Sequence, residues 1–382
     1  MTKKVIIIGS AFPLRGGGLA TFNERLAREF QDLGYETIIY TFSLQYPGFL
    51  FPGKSQYSEE EAPENLDIRV RINSINPFNW IVAGNQISRE MADLVVYRFW
   101  LPFMGPCLGT IARIIRKNKK SRQVAITDNI IPHEKRPGDK WFTSYFLSGM
   151  DGFIAMSQSV LHDISIFDTQ KPRAFVPHPL YDNFGEKIDR ETAIKNLKLD
   201  PAYRYILFFG FIRAYKGLDI LLDAFAEKEV EKLPLKLIIA GEFYQDSKEY
   251  ETQIENLGIE NRIIRCHHFI PNAEVANYFC ASDLVVQPYK EATQSGVTQV
   301  AYHFNVPMIV TDLDGLRENV PDGKVGYVTE ANKKAVAGGI VKFFSESKLN
   351  EFSENMEVEK KKFSWISLVN KLFEVGEKKI LK

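Results

Sequence analysis

Phe208 to Leu221 reads "FFGFIRAYKGLDIL". An apolar run ends at Gly210, two cations follow at Arg213 and Lys216, and Gly217 opens a segment whose apolar stripe is Leu218, Leu221, Leu222 and Phe225. A helix begins with unpaired N–H groups and the positive end of its dipole. Cations placed there are unfavourable unless an anion shares them. Arginine can hold two phosphate oxygens in its planar fork, and lysine adds a point charge. Gly210, Arg213 and Lys216 therefore predict a diphosphate site at a helix start. The competing reading is two solvated cations in an ordinary surface loop.

A second anion-binding stretch is "QPYKEATQSGVTQVAYHFNVP". A strand ends at Pro288, and Ser295-Gly296 opens the next helix. Gly296 permits close backbone approach, while Thr293 and Ser295 offer hydroxyls. The plain alternative is that Ser295 merely caps the helix. A third feature is "GSAFPLRGGGLATFNERLA", where Gly16, Gly17 and Gly18 open the first helix. Six residues separate Gly9 from Gly16, so this is not the G-x-G-x-x-G of dinucleotide cofactors. The triplet can approach a sugar or phosphate, or simply supply positive φ.

The elements that must position these residues alternate along the whole chain. Strands are expected at Lys4–Gly9, Glu36–Phe42, Ile68–Ile72, Leu94–Phe99, Gln123–Thr127, Gly152–Ala155 and Ala174–Val176. A second series follows at Tyr205–Phe209, Lys236–Ala240, Ile263–His268, Leu284–Gln287, Met308–Thr311 and Gly326–Val328. Amphipathic segments lie between them, including Leu218–Glu231 as one helix. This βαβ alternation predicts an α/β protein of two doubly wound, Rossmann-like domains facing across a cleft. The polar stretch "YDNFGEKIDRETAIKNLKLDPAYR" marks the joint. The expected division is 1–183, 184–363, and a terminal helix within 364–382.

Bulk properties narrow the function. Lys+Arg and Asp+Glu balance at 48 each in 382 residues, which gives no general reason to expect nucleic acid. Three scattered cysteines fit a reducing cytosol rather than a disulfide or zinc framework. "MTKKVIIIGS" passes directly into a strand and is not expected to be a leader. No apolar run is long enough to span a bilayer. His267 and His268 are adjacent in an expected strand, so they point apart and do not pair as metal ligands. His178, His162 and His303 read as structural, with His178 near the joint. The basic stretch "ARIIRKNKKSR" (113–122) reads either as favourable cations at a helix C-terminus or as a dock for an anionic membrane. "LQYPGFLFPGKSQY" is an acceptor or membrane loop candidate.

Taken in order, "PLRGGGLATFNERLAREF", "TDNIIPHEKRPGD", "FFGFIRAYKGLDILLDAF", "LIIAGEFY", "ASDLVVQPYKEATQSGVTQVAYHFNVPMIVTDLDGLRENV" and "FSW" resemble the retaining glycosyltransferases of family 4 (glycosyl transferases group 1), of GT-B fold. The stretch around Ser295 resembles a subgroup reading "ATQSG" in the donor loop. The resemblance implies a cytoplasmic enzyme that moves a sugar from a nucleoside-diphosphate sugar to a glycan or lipid-linked acceptor in polysaccharide or glycoconjugate synthesis. It implies no metal and no cofactor, and peripheral contact with the inner face of the membrane through 113–122 stays open. Donor binding would fall to Gly210, Arg213, Lys216, Glu242, Glu291, Thr293, Gln294, Ser295, Gly296 and Gln299. The acceptor would lie near Gly16–Gly18. Arg213 and Lys216 would neutralise the leaving diphosphate.

Three departures from the family pattern bear on this. Glu291 is followed eight residues later by Gln299 where a second acid is common. Asp128 stands where a histidine often contacts the transferring sugar, with His133 as the other candidate. Asp314 replaces a glycine and creates an Asp312-x-Asp314 string, read as a surface loop, with Glu318 a weak match to an acid beyond it. A nucleotide-sugar epimerase or hydrolase of the same fold is one alternative; an inactive nucleotide-sugar-binding protein is another, which the Asp128 and Gln299 departures keep open.

Overall fold

The computed structural model describes residues 3–15, 18–48, 55–58, 61–132, 136–244 and 246–377. The chain divides into two compact units, Met1–Pro179 with Ser364–Lys382, and Leu180–Phe363.

The first unit carries β1 (Lys4–Ile8), β2 (Glu36–Leu44), β3 (Asp67–Asn73), β4 (Leu94–Phe99), β5 (Arg122–Thr127), β6 (Gly152–Ala155) and β7 (Arg173–Phe175). They form one parallel sheet in the order β3-β2-β1-β4-β5-β6-β7. Its helices are α1 (Gly18–Asp32), α2 (Pro77–Arg89), α3 (Gly105–Arg116), α4 (Asp139–Ser148) and α5 (Gln158–Phe167). Runs such as Val5–Ile8 and Leu94–Phe99 are buried along their whole length, as a parallel sheet covered on both faces requires.

The second unit carries β8 (Arg204–Phe209), β9 (Leu235–Ala240), β10 (Ile263–Cys266), β11 (Leu284–Gln287), β12 (Met308–Thr311) and β13 (Gly326–Thr329). All are parallel, in the order β10-β9-β8-β11-β12-β13. Its helices are α6 (Arg190–Asn196), α7 (Leu218–Phe225), α8 (Lys228–Glu231), α9 (Lys248–Leu257), α10 (Val275–Ala281), α11 (Gly296–Phe304), α12 (Asp314–Arg317), α13 (Lys333–Ser345) and α14 (Leu349–Glu359). The terminal α15 (Trp365–Glu377) belongs to the first unit, where Trp365 meets Phe22 at 4.9 Å between ring centroids. Each sheet reverses its winding direction once, between β1 and β4 and between β8 and β11. Such switch points open a crevice beyond the carboxyl ends of the strands.

Several local expectations differ from what is observed. The single helix over Leu218–Glu231 is two, because the chain leaves helical geometry at Glu227 (φ −64°, ψ 137°). Strand β10 stops at Cys266, and His268 N–H turns back to the Cys266 carbonyl (2.9 Å), so neither His267 nor His268 is a strand residue. Helices α9 and α14 carry too few apolar residues to stand out as periodic; each buries only one or two side chains.

The join between β8 and β11 is held by Asp283, which is buried. Its carboxylate accepts from the Tyr205 amide (2.8 Å) and from Arg204 (2.8 Å), and its own amide donates to the Tyr205 carbonyl (2.8 Å). Asp283→Ala strands the buried Tyr205 N–H, which should cost about 2 kcal/mol. The expected readout is a lowered urea midpoint for unfolding of the second unit, and an unchanged midpoint would refute this role.

Candidate functional site at the second switch point

Gly210 follows β8 with φ +93°, a conformation that favours glycine. A Cβ there would lie 3.2 Å from Lys216 Nζ and 3.8 Å from Val297 in the first turn of α11. Gly241, after β9 and with φ +147°, passes so close that a Cβ would sit 2.1 Å from the Gly210 carbonyl oxygen. Gly217, also left-handed (φ +68°), would place a Cβ 2.0 Å from the Pro288 carbonyl oxygen. The Lys290 amide donates to the Tyr215 carbonyl (2.7 Å), so the loops after β8 and β11 are laced together. These contacts bring Gly210, Lys216 and the start of α11 to one place.

Charge is concentrated there, and Arg213 has no ion pair among the described residues. Lys216 is half-buried, and its side chain has no acceptor or ion pair among the described residues. Burial, and secondarily the Arg213 guanidinium, push its ammonium down to about 8 from an ordinary 10.5. The nearest acid in sequence, Asp219, pairs instead with Lys290 at 2.7 Å on the exposed side. Arg213 lies over the Tyr244 ring, 3.8 Å from its centroid, and Lys216 lies 5.6 Å from the centroid of the buried Tyr289 ring. Aromatic faces attract cations without neutralising them. Arg213 is aimed by the loop after β9, since Ile212 N–H donates to the Glu242 carbonyl (2.9 Å) and Tyr244 N–H to the Ile212 carbonyl (3.0 Å).

Neither adjacent helix receives a side-chain cap from its N-cap residue. Gly217 precedes α7 and can supply none. Ser295 precedes α11, yet its hydroxyl donates to Gln287 Oε1 (2.6 Å) and touches the Tyr289 hydroxyl (3.5 Å). The alternative reading of Ser295 as an ordinary helix cap is not what is observed: Gln287 takes the hydroxyl, which makes no cap hydrogen bond to α11. Thr293 and Gln294 are set by α12, because a Cβ at Gly315 would lie 2.2 Å from the Thr293 carbonyl oxygen. Gly296 is open only as far as the Tyr181 ring, 3.0 Å from where its Cβ would be. Gln299 is buried on α11, and its Oε1 has no partner among the described residues. Glu291 is exposed and Glu242 half-buried. Asp312 and Asp314 both pair with Arg317, at 2.9 and 2.6 Å, on the surface. Glu318 ends α12.

In the first unit, Asp128 follows β5. Its two oxygens accept from Arg98 Nε and Nη2, both at 2.6 Å, and both residues are almost wholly buried. The Arg98 guanidinium lies 3.8 Å from the Phe22 ring centroid, and Nη1 has no partner. His178 meets Phe22 edge-on at 5.1 Å and shares a 2.7 Å hydrogen bond between Nδ1 and the Pro179 carbonyl. Burial, helped by the Arg98 charge, lowers His178 to about 3, so its ring is neutral. Asp128 is thus held as the counter-ion of Arg98, a partner that sequence reasoning missed. An arginine inside the apolar run Leu94–Phe99 was the available signal. Gly18 opens α1, while Gly16, Gly17 and His133 lie outside the described residues, as does most of the loop around Pro52. In 113–122, Arg113 bonds the carbonyls of Gly109 and Tyr145, and Arg116 bonds the Gly149 carbonyl and Asp151. Those two guanidiniums are engaged within the fold.

The family described as Glycosyl transferases group 1 matches residues 189–362, inside the second unit and spanning the whole of this site. The chain is a glycosyltransferase, and its two α/β units have the GT-B fold. It is similar to a glycosyltransferase of Methanocaldococcus jannaschii, with 24% identity over 365 residues and 91% of each chain covered. The capsular polysaccharide biosynthesis glycosyltransferase CapM of Staphylococcus aureus is 23% identical over 258 residues, 64% of this chain and 66% of that one. Anabaena HepE, solved in complex with UDP and glucose, superposes with a TM-score of 0.73 at 16% identity, over 97% of this chain and 98% of that one.

Two outcomes follow for this glycosyltransferase. Lys216 must be protonated to hold an anion, and its empty-site value is about 8. Affinity for a nucleoside diphosphate should be flat below that pH and fall above it, by up to about tenfold per pH unit. Titration calorimetry from neutral pH to pH ~10 checks this, and Lys216→Arg should move the limb out of range. Separately, Asp128→Ala leaves a buried guanidinium uncompensated and should lower stability by about 3 kcal/mol, read from denaturant unfolding of the first unit.

Proposed function

We propose that this glycosyltransferase moves a sugar from a nucleoside-diphosphate sugar to a glycan or lipid-linked acceptor, with retained anomeric configuration and no requirement for a metal ion. The carrying observation is the pair Arg213 and Lys216, without an ion pair among the described residues and beside two helix starts whose N-cap residues supply no side-chain cap. When the bond between the sugar and the diphosphate breaks, negative charge grows on the departing phosphate oxygens. Arg213, Lys216 and the amides opening α11 are placed to stabilise that charge more than the bound donor, which is the condition for acceleration. Two fixed cations supply the electrostatic role that a divalent ion fills elsewhere.

The donor would lie at Gly210, Arg213, Lys216 and the Thr293–Gly296 loop, with Glu242, Glu291 and Gln299 as further donor contacts. Complexes of HepE with UDP and with UDP-glucose support that class of donor. The first unit would take the acceptor near Gly18. The name of CapM supports a place in polysaccharide synthesis. Three free cysteines fit a cytosolic setting.

The test is thermal shift and calorimetry with UDP, GDP, ADP and dTDP and their common sugars in EDTA. A donor at 100 times its Kd should add roughly 2.7 kcal/mol of stability. Arg213→Ala with Lys216→Ala should remove the shift. Proton NMR of the product should show the donor's anomeric configuration. Binding that survives the double substitution, or that needs a divalent ion, overturns the reading. Turnover without any acceptor would favour hydrolysis or epimerisation instead.

A further inference from the structure

At the carboxyl end of the first sheet, side chains tie together the loops after β1, β2 and β4. Asn23 Nδ2 donates to the Ser10 carbonyl (2.9 Å), the Ala11 amide to Thr41 Oγ1 (3.0 Å) and the Phe12 amide to Glu24 Oε1 (2.9 Å). After β2, Gln56 clamps Tyr46: its Oε1 accepts from the Tyr46 amide (3.1 Å) and its Nε2 donates to the Tyr46 carbonyl (3.0 Å). Trp100, after β4, donates Nε1 to the Tyr46 hydroxyl (2.5 Å). Gly9 admits no side chain, since a Cβ there would lie 2.4 Å from Asn23 Nδ2. The strand ends at this switch point are held by their own hydrogen bonds, which lowers the cost of ordering them around a ligand.

One donor is left over. Gln45 is 8% exposed, and its Oε1 accepts at 2.5 Å from the hydroxyl of Ser10, which is 3% exposed. Its Nε2 has no acceptor among the described residues. Buried side-chain amides ordinarily use both ends, so an unspent amide nitrogen on a residue more than nine-tenths buried marks a place for an acceptor atom. Ser10 decides which end of the amide is spent, and what it leaves is a donor. Charge narrows the class of ligand. Arg98 closes on Asp128 through two hydrogen bonds. The other described charges at these strand ends, Arg15 and Glu24, are one of each sign. The first switch point therefore offers a hydrogen-bond donor without net charge, whereas Arg213 and Lys216 at the second have no ion pair among the described residues. A phosphate is drawn to the second; a hydroxyl oxygen suits the first.

We propose that Gln45 is a specificity-determining residue for the acceptor, its Nε2 donating to a hydroxyl oxygen of an uncharged sugar residue held at the carboxyl ends of β1 and β2. The proposal rests on the glycosyl-transfer reading above and names the chemistry of the acceptor end: a neutral saccharide rather than a phosphorylated or acidic one. A site that donates from a buried amide discriminates strongly, because a sugar lacking the matching hydroxyl leaves that amide unpaired inside the protein. Ser10 is the positioning residue, since its hydroxyl fixes the amide that makes the contact.

The experiment is saturation-transfer NMR of the full chain with the p-nitrophenyl glycosides of glucose, galactose, mannose and N-acetylglucosamine, and with p-nitrophenyl glucuronide as the acidic probe. At least one neutral glycoside should bind, and more tightly than the glucuronide. Gln45→Leu combined with Ser10→Ala removes both partners of the buried hydrogen bond, so neither is left stranded and the fold should hold. That variant should weaken the neutral glycoside about tenfold, the worth of one buried hydrogen bond. Its affinity for a nucleoside diphosphate, which the second unit holds, should not change, and an unchanged melting temperature would show that it folds. Should the double variant fail to fold, Gln45→Met keeps the length of the side chain and should give the same loss. The proposal falls if the folded variant binds the glycoside as well as the parent. It falls if the glucuronide binds better than every neutral glycoside, or if the parent binds a nucleoside diphosphate and none of the neutral glycosides. A parent that binds no nucleoside diphosphate at all overturns the glycosyl-transfer reading itself, and this proposal with it.

Discussion

Two cations that repel each other, one of them a half-buried ammonium, stand in the loop after β8 with no ion pair among the described residues. Much of the second unit is arranged to tolerate that. Gly217 and Gly241 let loops approach until no Cβ would fit, and Gly210 takes a left-handed φ between them. Tyr244 and Tyr289 lend aromatic faces to the charges. Gln287 withdraws the Ser295 hydroxyl from the amides of α11. Each of these leaves positive potential unspent, which is what the proposed diphosphate site requires. A site that neutralised itself would be more stable when empty and would bind less.

The first unit handles charge in the opposite way. Arg98 and Asp128 are as deeply buried as any pair in the chain, yet they close on each other through two parallel hydrogen bonds, with Phe22 below and a neutral His178 beside them. Such a pair gives little net stability, but removing one member is expensive. It fixes the end of β5 to β4 and so shapes the crevice at that sheet's switch point. The residue at the position of a sugar-contacting histidine is here an element of architecture, and any contact it makes with substrate is made by an already paired carboxylate.

Outside the two switch points, the same competition between internal and external partners decides the surface. Arg113 and Arg116 look like free cations in a basic run, but backbone carbonyls at the end of α4 accept their protons. Lys117 and Lys119, a few residues on, have no such acceptor among the described residues and face water.

Alternating β-branched runs and amphipathic segments are enough to place the thirteen strands of the described residues, since parallel strands buried on both faces must be continuously apolar. The cations after Gly210 were legible for the same local reason: helix starts, glycines and charges sit within ten residues of one another. The ordered motifs by themselves point to the glycosyltransferase class. What the chain order does not carry is the identity of partners distant in sequence. Ser295 caps by local rule and fails to cap because Gln287, on a strand, offers a better acceptor. Asp128 reads as a lone acid until the register of β4 against β5 brings Arg98, thirty residues earlier, within 2.6 Å. Periodicity is a property of neighbours along the chain, whereas satisfaction of a buried charge or hydroxyl is a property of neighbours in space, and only the folded sheet decides the second.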